Sequence, residues 1–153
     1  MPVSEVLSRL LKRAGLYVRQ TKYREALALY DQAIQIDPKN SESWCLRASA
    51  KIEMGTYAEA IADCDRAIAI NPNYADAWSK KGLALYYLEQ YAAALAASIR
   101  AVSLNANDAS AWYIKGICLE EMGKSEEAEI AYAKSLELEI ILDIKDENKR
   151  NRT

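Results

Sequence analysis

The sequence of 153 residues contains no histidine and no phenylalanine, and it has only three prolines and five glycines. Without histidine, neither a Ser–His nor a Cys–His nucleophile pair can form, and a zinc site would lack one of its usual ligands. The cysteines Cys45, Cys64 and Cys118 follow no metal-ligand spacing, which favours buried free thiols. No glycine-rich phosphate loop occurs. We therefore expect a chain that is not an enzyme, with no catalytic residue, cofactor or metal.

A surplus of positive charge and a long apolar run are also missing. The net charge is −2 with a pI of about 5.3, so the chain lacks the basic surface that neutralises nucleic-acid phosphates. No stretch approaches the roughly 18 apolar residues that span a membrane. The first basic residues follow the first apolar ones, which is the reverse of a signal peptide. We expect a soluble, cytoplasmic chain with neither a nucleic-acid nor a membrane partner.

What the sequence does have is a repeat of 34 residues, seen first in Ser41–Tyr74. A period of this length decides the architecture of a chain. Four copies follow one another without a gap, at 7–40, 41–74, 75–108 and 109–142. Residues 1–6 form a lead, and residues 143–153 form a helix extension with a frayed polar tail. The first slot of each copy holds Leu10, Trp44, Trp78 or Trp112, and the slot sixteen residues later always holds alanine.

The register of each copy predicts two helices. Slots 0, 4 and 7 share one helical face, and slots 16, 20 and 23 share a second. Gly55 and Gly123 fall between the two faces, where a left-handed residue ends a helix. Thr56 with Glu59 reads as a capping box for the next helix. Pro72 ends the second helix, because the residue before proline is pushed out of the helical region.

These slots resemble the tetratricopeptide repeat family over residues 7–142. The family skeleton is matched best by Trp78, Gly82, Leu85 and Ala94, and by the corresponding residues of the fourth copy. The resemblance implies an all-α fold, a right-handed solenoid of four antiparallel helix pairs. The fourth copy has no closing proline, so its second helix is expected to continue to about Lys145. The first helix is expected to run from a Ser4 cap to about Gln20.

The resemblance also implies a peptide-binding surface. In that family the first helix of each repeat lines a concave groove, and most of the matching places are apolar here, which is unusual for a solvated face. Lys12 and Lys80 accompany them, so the predicted ligand is an amphipathic helix or an extended peptide. The candidate peptide-binding residues are Leu11, Lys12, Val18, Leu46, Ser49, Ile52, Lys80, Leu83, Tyr86, Tyr113, Ile114 and Ile117.

The predicted function is a non-catalytic scaffold or adaptor for protein–protein interaction. One alternative is a homodimer formed through an apolar stripe on the C-terminal helix, at Leu138, Ile141, Leu142 and Ile144. A second alternative is a regulatory subunit of a separate enzyme.

Two finer features of the family bear on the function of this chain. Relatives that bind acidic chaperone tails use a clamp of Lys, Asn and Arg side chains, and the matching places hold Leu11, Gly15, Leu46, Asp76 and Lys80. Only Lys80 fits, so that activity is not predicted. A basic residue also stands three places after the first slot in every copy, at Arg13, Arg47, Lys81 and Lys115. These long side chains are expected to lie over a helix interface with their charge in solvent, in preference to forming a ladder for acidic partners.

Overall fold

The computed structural model describes residues 1–152, and within them the chain forms eight α-helices and no β-strand. Each copy of the repeat supplies one pair of consecutive helices, as the slot pattern predicts. The all-α fold class is therefore confirmed. The helices are α1 (Val3–Arg19), α2 (Tyr23–Ile36), α3 (Ser41–Glu53), α4 (Tyr57–Ile70), α5 (Ala75–Tyr87), α6 (Tyr91–Leu104), α7 (Ala109–Glu121) and α8 (Ser125–Arg150).

The helices stack into a curved solenoid in which each helix packs on its neighbours in sequence. The odd-numbered helices also contact one another, α1 with α3, α3 with α5, and α5 with α7. Across residues 1–152, no two even-numbered helices bring Cα atoms within 8 Å of each other. The odd helices therefore line the inner, concave side of the stack, and the even helices form its outer side.

Small residues bring the two helices of each pair close together. The small slot on the odd helices holds Ala14, Ala48, Gly82 and Gly116, all of them buried. A Cβ atom on Gly82 would lie 3.3 Å from the carbonyl oxygen of Ala94, and one on Gly116 would lie 2.6 Å from the ring of Tyr132. Such contacts leave no space for a larger side chain where the helix ridges cross.

The turn inside every helix pair contains one left-handed residue at the same place of the repeat. These residues are Thr21 (φ 58), Gly55 (φ 77), Glu89 (φ 58) and Gly123 (φ 74). The two glycines confirm the predicted helix ends. Thr21 and Glu89 adopt the same conformation although a residue with a Cβ atom pays about 1–2 kcal/mol for it, so the packing of the pair imposes the turn.

Two predicted caps are wrong. α1 begins at Val3 with Pro2 at its N-cap, because proline has a φ suited to a helix start and no N–H to satisfy. Ser4 therefore lies inside the helix. The hydroxyl of Thr56 donates to the carbonyl oxygen of Lys51 at 3.1 Å, and no side chain caps α4. The left-handed turn brings both the hydroxyl and the backbone N–H of Thr56 to the Lys51 carbonyl in the last turn of α3.

The three tryptophans join each copy to the turn before it. Nε1 of Trp44, Trp78 and Trp112 donates to the carbonyl oxygen of Pro38, Pro72 and Ala106, respectively, each at 2.9 Å. The bond does not require a proline, since Ala106 accepts it equally well. The first slot of the repeat is therefore an anchor for the preceding turn as well as a packing residue.

The last helix extends further than expected. α8 runs to Arg150, whereas the sequence predicted a helix to about Lys145 and a frayed tail. The hydroxyl of Ser135 donates to the carbonyl oxygen of Ala109, the first residue of α7, at 2.8 Å, so α8 passes the start of α7 near this point. Acidic residues near its N-terminus, and Lys149 and Arg150 near its C-terminus, favour a continuous helix through its dipole. Thr153, the end of the predicted tail, lies outside the described residues.

Candidate functional site

The predicted groove residues divide into three classes by exposure. Lys12 and Tyr113 are exposed. Half-buried side chains are those of Val18, Leu46, Ser49, Lys80, Leu83, Tyr86 and Ile117. Leu11, Ile52 and Ile114 are buried, with at most 8% of their surface exposed. These three pack in the core between successive repeats, so they support the groove and offer a ligand little surface.

Part of the concave side forms a groove between α1 and α3. A groove of about 440 Å³ opens there, and a second recess of about 280 Å³ shares Leu11, Lys12 and Glu42 with it. We call the larger one the α1–α3 groove. Its lining residues are Leu11, Lys12, Gly15, Leu16, Arg19, Glu42 and Leu46.

Gly15 gives the α1–α3 groove its depth. A Cβ atom placed on Gly15 would meet no other heavy atom within 4 Å, so the space above this residue is open. Leu16 is 51% exposed beside it, and Leu46 of α3 is half-buried. An apolar side chain of a ligand could therefore reach the backbone of α1 and contact leucine on both helices.

The charges around this groove are mostly positive. Lys12 and Arg19 are exposed, and neither makes an ion pair with any residue in the described part of the chain. The carboxylate of Glu42 is the one acidic group in the lining. The groove thus combines apolar surface with two cations that remain available to a ligand.

The far end of the concave side is aromatic and acidic. The Tyr113 and Tyr132 rings lie 5.7 Å apart, and the Tyr132 hydroxyl donates to Oε2 of Glu120 at 2.6 Å. Burial raises the pKa of Tyr132, and this bond to a carboxylate raises it further. The phenol therefore stays protonated as a donor. Tyr86 also stands at this end, with its ring 5.7 Å from that of Tyr91.

The four basic residues that follow the first slot lie over aromatic rings. The cations of Arg47, Lys81 and Lys115 stand 4.9, 5.7 and 4.9 Å from the tryptophan ring centroids of their own copies, and Arg13 lies 5.8 Å from the ring centroid of Tyr17. Lys81 also pairs with Asp65 at 2.7 Å. Arg47, Lys81 and Lys115 are half-buried and hold the tryptophans in place through cation–π contact. Arg13 is exposed, as expected, whereas the charge of Arg47 is paired with the buried Asp63 and does not reach solvent as the sequence predicted.

A charge cluster that sequence reasoning missed joins α2, α3 and α4. Asp63 is 4% exposed and accepts from Nε and Nη2 of Arg47, both at 2.8 Å. Lys51 reaches the same carboxylate at 2.9 Å, and Arg47 also contacts Asp31 at 2.7 Å. The hydrogen bond to Asp63 is the main cause that raises the pKa of Arg47. This cluster is structural, because the carboxylate at its centre, Asp63, is buried inside the stack.

The described residues give little support for thiol chemistry, metal binding or membrane insertion. The thiols of Cys45, Cys64 and Cys118 are free and buried, and burial raises the pKa of both Cys45 and Cys118 to about 11. They are therefore poor nucleophiles near neutral pH. Across residues 1–152, no group of three His, Cys, Asp or Glu side chains is placed to hold a metal. The same residues include no helix that is long and apolar enough to cross a membrane.

The outer side has an apolar groove of about 610 Å³. It lies over α5 between α4 and α6, where the even helices stand apart. Its lining is Ile61, Trp78, Lys81, Leu85, Ala93, Ala96, Ala97 and Arg100.

The predicted stripe on α8 does not form one surface. Leu138 is 6% exposed and packs against the body, whereas Ile141, Leu142 and Ile144 are 38%, 52% and 53% exposed. Helical geometry puts Leu142 on a different side from Ile144. Leu136, Ile140 and Ile144 do share a face, and it lies opposite the buried one. These three are 57%, 50% and 53% exposed, and we call them the outer stripe of α8.

Comparison with family models and solved structures finds tetratricopeptide repeat proteins. Two family models described as tetratricopeptide repeat match residues 17–84 and 79–139. Comparison with curated proteins returns no significant match.

Solved structures of similar fold are numerous. A crystal structure of MamA superposes with a TM-score of 0.76 at 26% identity, covering 90% of this chain and 80% of that one. The first TPR of Spaghetti (RPAP3), bound to an HSP90 peptide, gives a TM-score of 0.74 at 28% identity, covering 78% and 95%. The first TPR domain of human RPAP3 gives a TM-score of 0.75 at 28% identity, covering 79% and 95%. With matching repeat slots, four helix pairs and these likenesses, the chain belongs to the tetratricopeptide repeat family.

Proposed function

We propose that this chain is a non-catalytic protein-interaction module whose concave side binds a peptide or an amphipathic helix. The observation that carries the proposal is the α1–α3 groove, where the space above Gly15 is open and leucines line both walls. A pocket with apolar walls and a few charged groups at its edge is the usual form of a ligand site. The peptide-bound Spaghetti (RPAP3) domain supports the general mode of binding.

The ligand is expected to differ from that HSP90 peptide. Four of the five places of the chaperone clamp hold Leu11, Gly15, Leu46 and Asp76, whose side chains offer no donor for a terminal carboxylate, and only Lys80 fits. Apolar side chains on the ligand would supply most of the affinity, by filling the groove and displacing water from Leu16 and Leu46. Lys12 and Arg19 would select ligands with acidic side chains beside the apolar ones.

Gly15→Leu tests the proposal without harming the fold. Leucine would fill the groove, and replacement of an interior helix glycine is expected to hold or raise the stability by about 1 kcal/mol. Peptides selected from a displayed library on the wild-type chain should bind the Gly15→Leu variant at least about tenfold more weakly by titration calorimetry. A melting curve of the variant serves as the control for folding.

Two outcomes would contradict the groove as the binding site. One is a selection that yields no binding peptide, and the other is a set of peptides that bind wild type and Gly15→Leu equally well. The double variant Leu46→Asp with Leu83→Asp extends the test along the concave side, since both leucines are half-buried there. The alternative role as a regulatory subunit of an enzyme stays a prediction that no contact in the structure favours.

A further inference from the structure

The two ends of the molecule carry opposite charge. Residues 1–24 contain six lysine and arginine side chains against one glutamate. Residues 125–147 contain eight aspartate and glutamate side chains against two lysines. The small net charge of the whole chain hides this asymmetry. Since α1 and α8 make no contact with each other, the opposite charges stay at the two ends of the stack and are not neutralised within one molecule.

The acidic end also carries unpaired apolar surface. Beyond Leu138 every described residue of α8 is exposed, so the helix projects from the body for about 18 Å at 1.5 Å per residue. We call residues 139–150 the α8 overhang. Ile140 and Ile144 are about half exposed. Within residues 136–147, five acidic side chains accompany these apolar ones and Lys145 is the single cation.

The basic end carries the surface that complements it. The α1–α3 groove presents exposed Leu16 and half-buried Leu46, and the absent side chain of Gly15 lets another helix approach closely. Lys12 and Arg19 stand at its edge without ion-pair partners. Glu42 is the one charge there that opposes an acidic ligand.

We propose that copies of this chain associate head to tail, with the α8 overhang of one copy docked in the α1–α3 groove of another. The inference rests on the proposed function, because it names a partner for the N-terminal part of the same concave side. Apolar contact comes from Ile140 and Ile144 against Leu16 and Leu46. The acidic residues beside the isoleucines then face Lys12 and Arg19.

A second copy fits this surface better in head-to-tail order than in symmetric order. Pairing two α8 helices through their outer stripes would bring Glu137 and Asp143, which flank the stripe on each copy, close to their counterparts, and like charges at that distance repel. Head-to-tail contact joins opposite charges. Because a heterologous interface leaves one free groove and one free overhang, it continues into a ring or an open chain of copies.

Sedimentation velocity on the full chain tests the inference with two variants. Gly15→Leu blocks the groove, and Ile140→Glu with Ile144→Glu disables the overhang at positions that are exposed and do not support the core. Wild type should assemble increasingly up to about 100 µM, and each variant should remain monomeric. An equimolar mixture of the two variants should form a one-to-one dimer that does not grow, since only one groove and one overhang are intact.

Ile99→Glu is the matched control, because Ile99 is a 46% exposed isoleucine on α6, and within residues 1–152 α6 contacts none of α1, α3 and α8. This variant should assemble like wild type. Raising the salt concentration from about 0.05 to 0.5 M should raise the dissociation constant of the wild-type assembly at least about threefold, since salt screens exposed charges.

A wild-type chain that stays monomeric would overturn the inference, and so would a Gly15→Leu variant that still dimerises, which indicates symmetric pairing of α8. The proposed function is judged separately by the library peptides. Peptides that bind while the chain stays monomeric leave that function in place and reject only self-association. Absence of both binding and assembly rejects both.

Discussion

At the scale of single residues, the most consequential feature is the buried carboxylate of Asp63. It receives three close contacts from Arg47 and Lys51, and these cations compensate for the loss of water around its charge. Removing one partner of a buried ion pair is costly, because the remaining charge is left without water and without a counterion. The cluster therefore makes the junction of α2, α3 and α4 sensitive to substitution.

Asp63→Ala is expected to lower the free energy of unfolding by about 3 kcal/mol, because Arg47 and Lys51 lose their shared buried partner and keep only the exposed Asp31 and Glu59. Chemical denaturation followed by circular dichroism measures the change. Glu5→Ala is the matched control, since Glu5 pairs with Arg9 at 2.7 Å on the exposed face of α1 and such pairs contribute at most about 1 kcal/mol. Equal losses in the two variants would show that the cluster adds no special stability.

The sequence contains a signal for this cluster that the apolar slots alone do not show. The place of Asp63 holds Leu29, Ala97 and Ala131 in the other copies, and the place of Lys51 holds Tyr17, Leu85 and Leu119. Two charges of opposite sign thus stand in slots that are apolar elsewhere, and in the same copy. Such a pair can be buried without a net charge. The occurrence of both residues in one copy therefore predicts a buried ion pair between them.

At the scale of helices, α8 differs from the other even-numbered helices in length and in its surroundings. It has 26 residues, whereas α2, α4 and α6 have 14 each. Its first half packs on α7, and its second half is exposed. Helix stability in the exposed half comes from local sequence and from continuity with the packed half, so this half adds little to the stability of the body.

Truncation after Glu139 should leave the melting temperature within about 2 °C of wild type, because the removed residues bury little surface. The far-ultraviolet circular dichroism signal should fall in proportion to the helical residues lost, Ile140–Arg150. A truncation after Glu127 is the contrasting variant, because it removes the buried Ala128, Ala131 and Leu138 and should unfold the last pair. A large drop in melting temperature on truncation after Glu139 would show that the α8 overhang contacts the body.

The sequence predicts the helix pairs well and their ends less well. Slot periodicity reports which face of a helix is buried, and that face is set by packing within the repeat. The ends depend on which of two neighbouring helices a polar side chain bonds to. The hydroxyl of Thr56 bonds back to the Lys51 carbonyl of α3 and leaves α4 without a side-chain cap. The concave residues were assigned by their place in the repeat, which does not reveal that Leu11, Ile52 and Ile114 are covered by the adjacent repeat.

At the scale of the whole molecule, the repeats are not equally coupled. Stability in a solenoid is approximately the sum of the repeats and of their nearest-neighbour interfaces. The interface of α2 with α3 is smaller than those of α4 with α5 and of α6 with α7, and the contact of α1 with α3 is the smallest among the odd helices. The first repeat is therefore the most weakly held, and the α1–α3 groove lies at this junction.

Hydrogen exchange should show this difference directly. Amide protons of α1 and α2 are expected to exchange at least about tenfold faster than those of α5 and α6, because local opening of the first repeat breaks the least contact. Mass spectrometry of peptic fragments measures both regions in one experiment. Fastest exchange in α7, which packs firmly on α6, would contradict the ranking of interfaces.

The curved stack also has a mechanical property. Its inner helices touch one another in a continuous line, while its outer helices are separated, most visibly at the 610 Å³ groove between α4 and α6. Each helix pair can therefore rotate slightly as a rigid body about this inner line of contact. The gaps between the outer helices would widen or narrow as it rotates. Small rotations shared by three joints would let the concave side open for a thicker ligand or tighten on a thinner one, within the limits set by the larger interfaces of α4 with α5 and of α6 with α7.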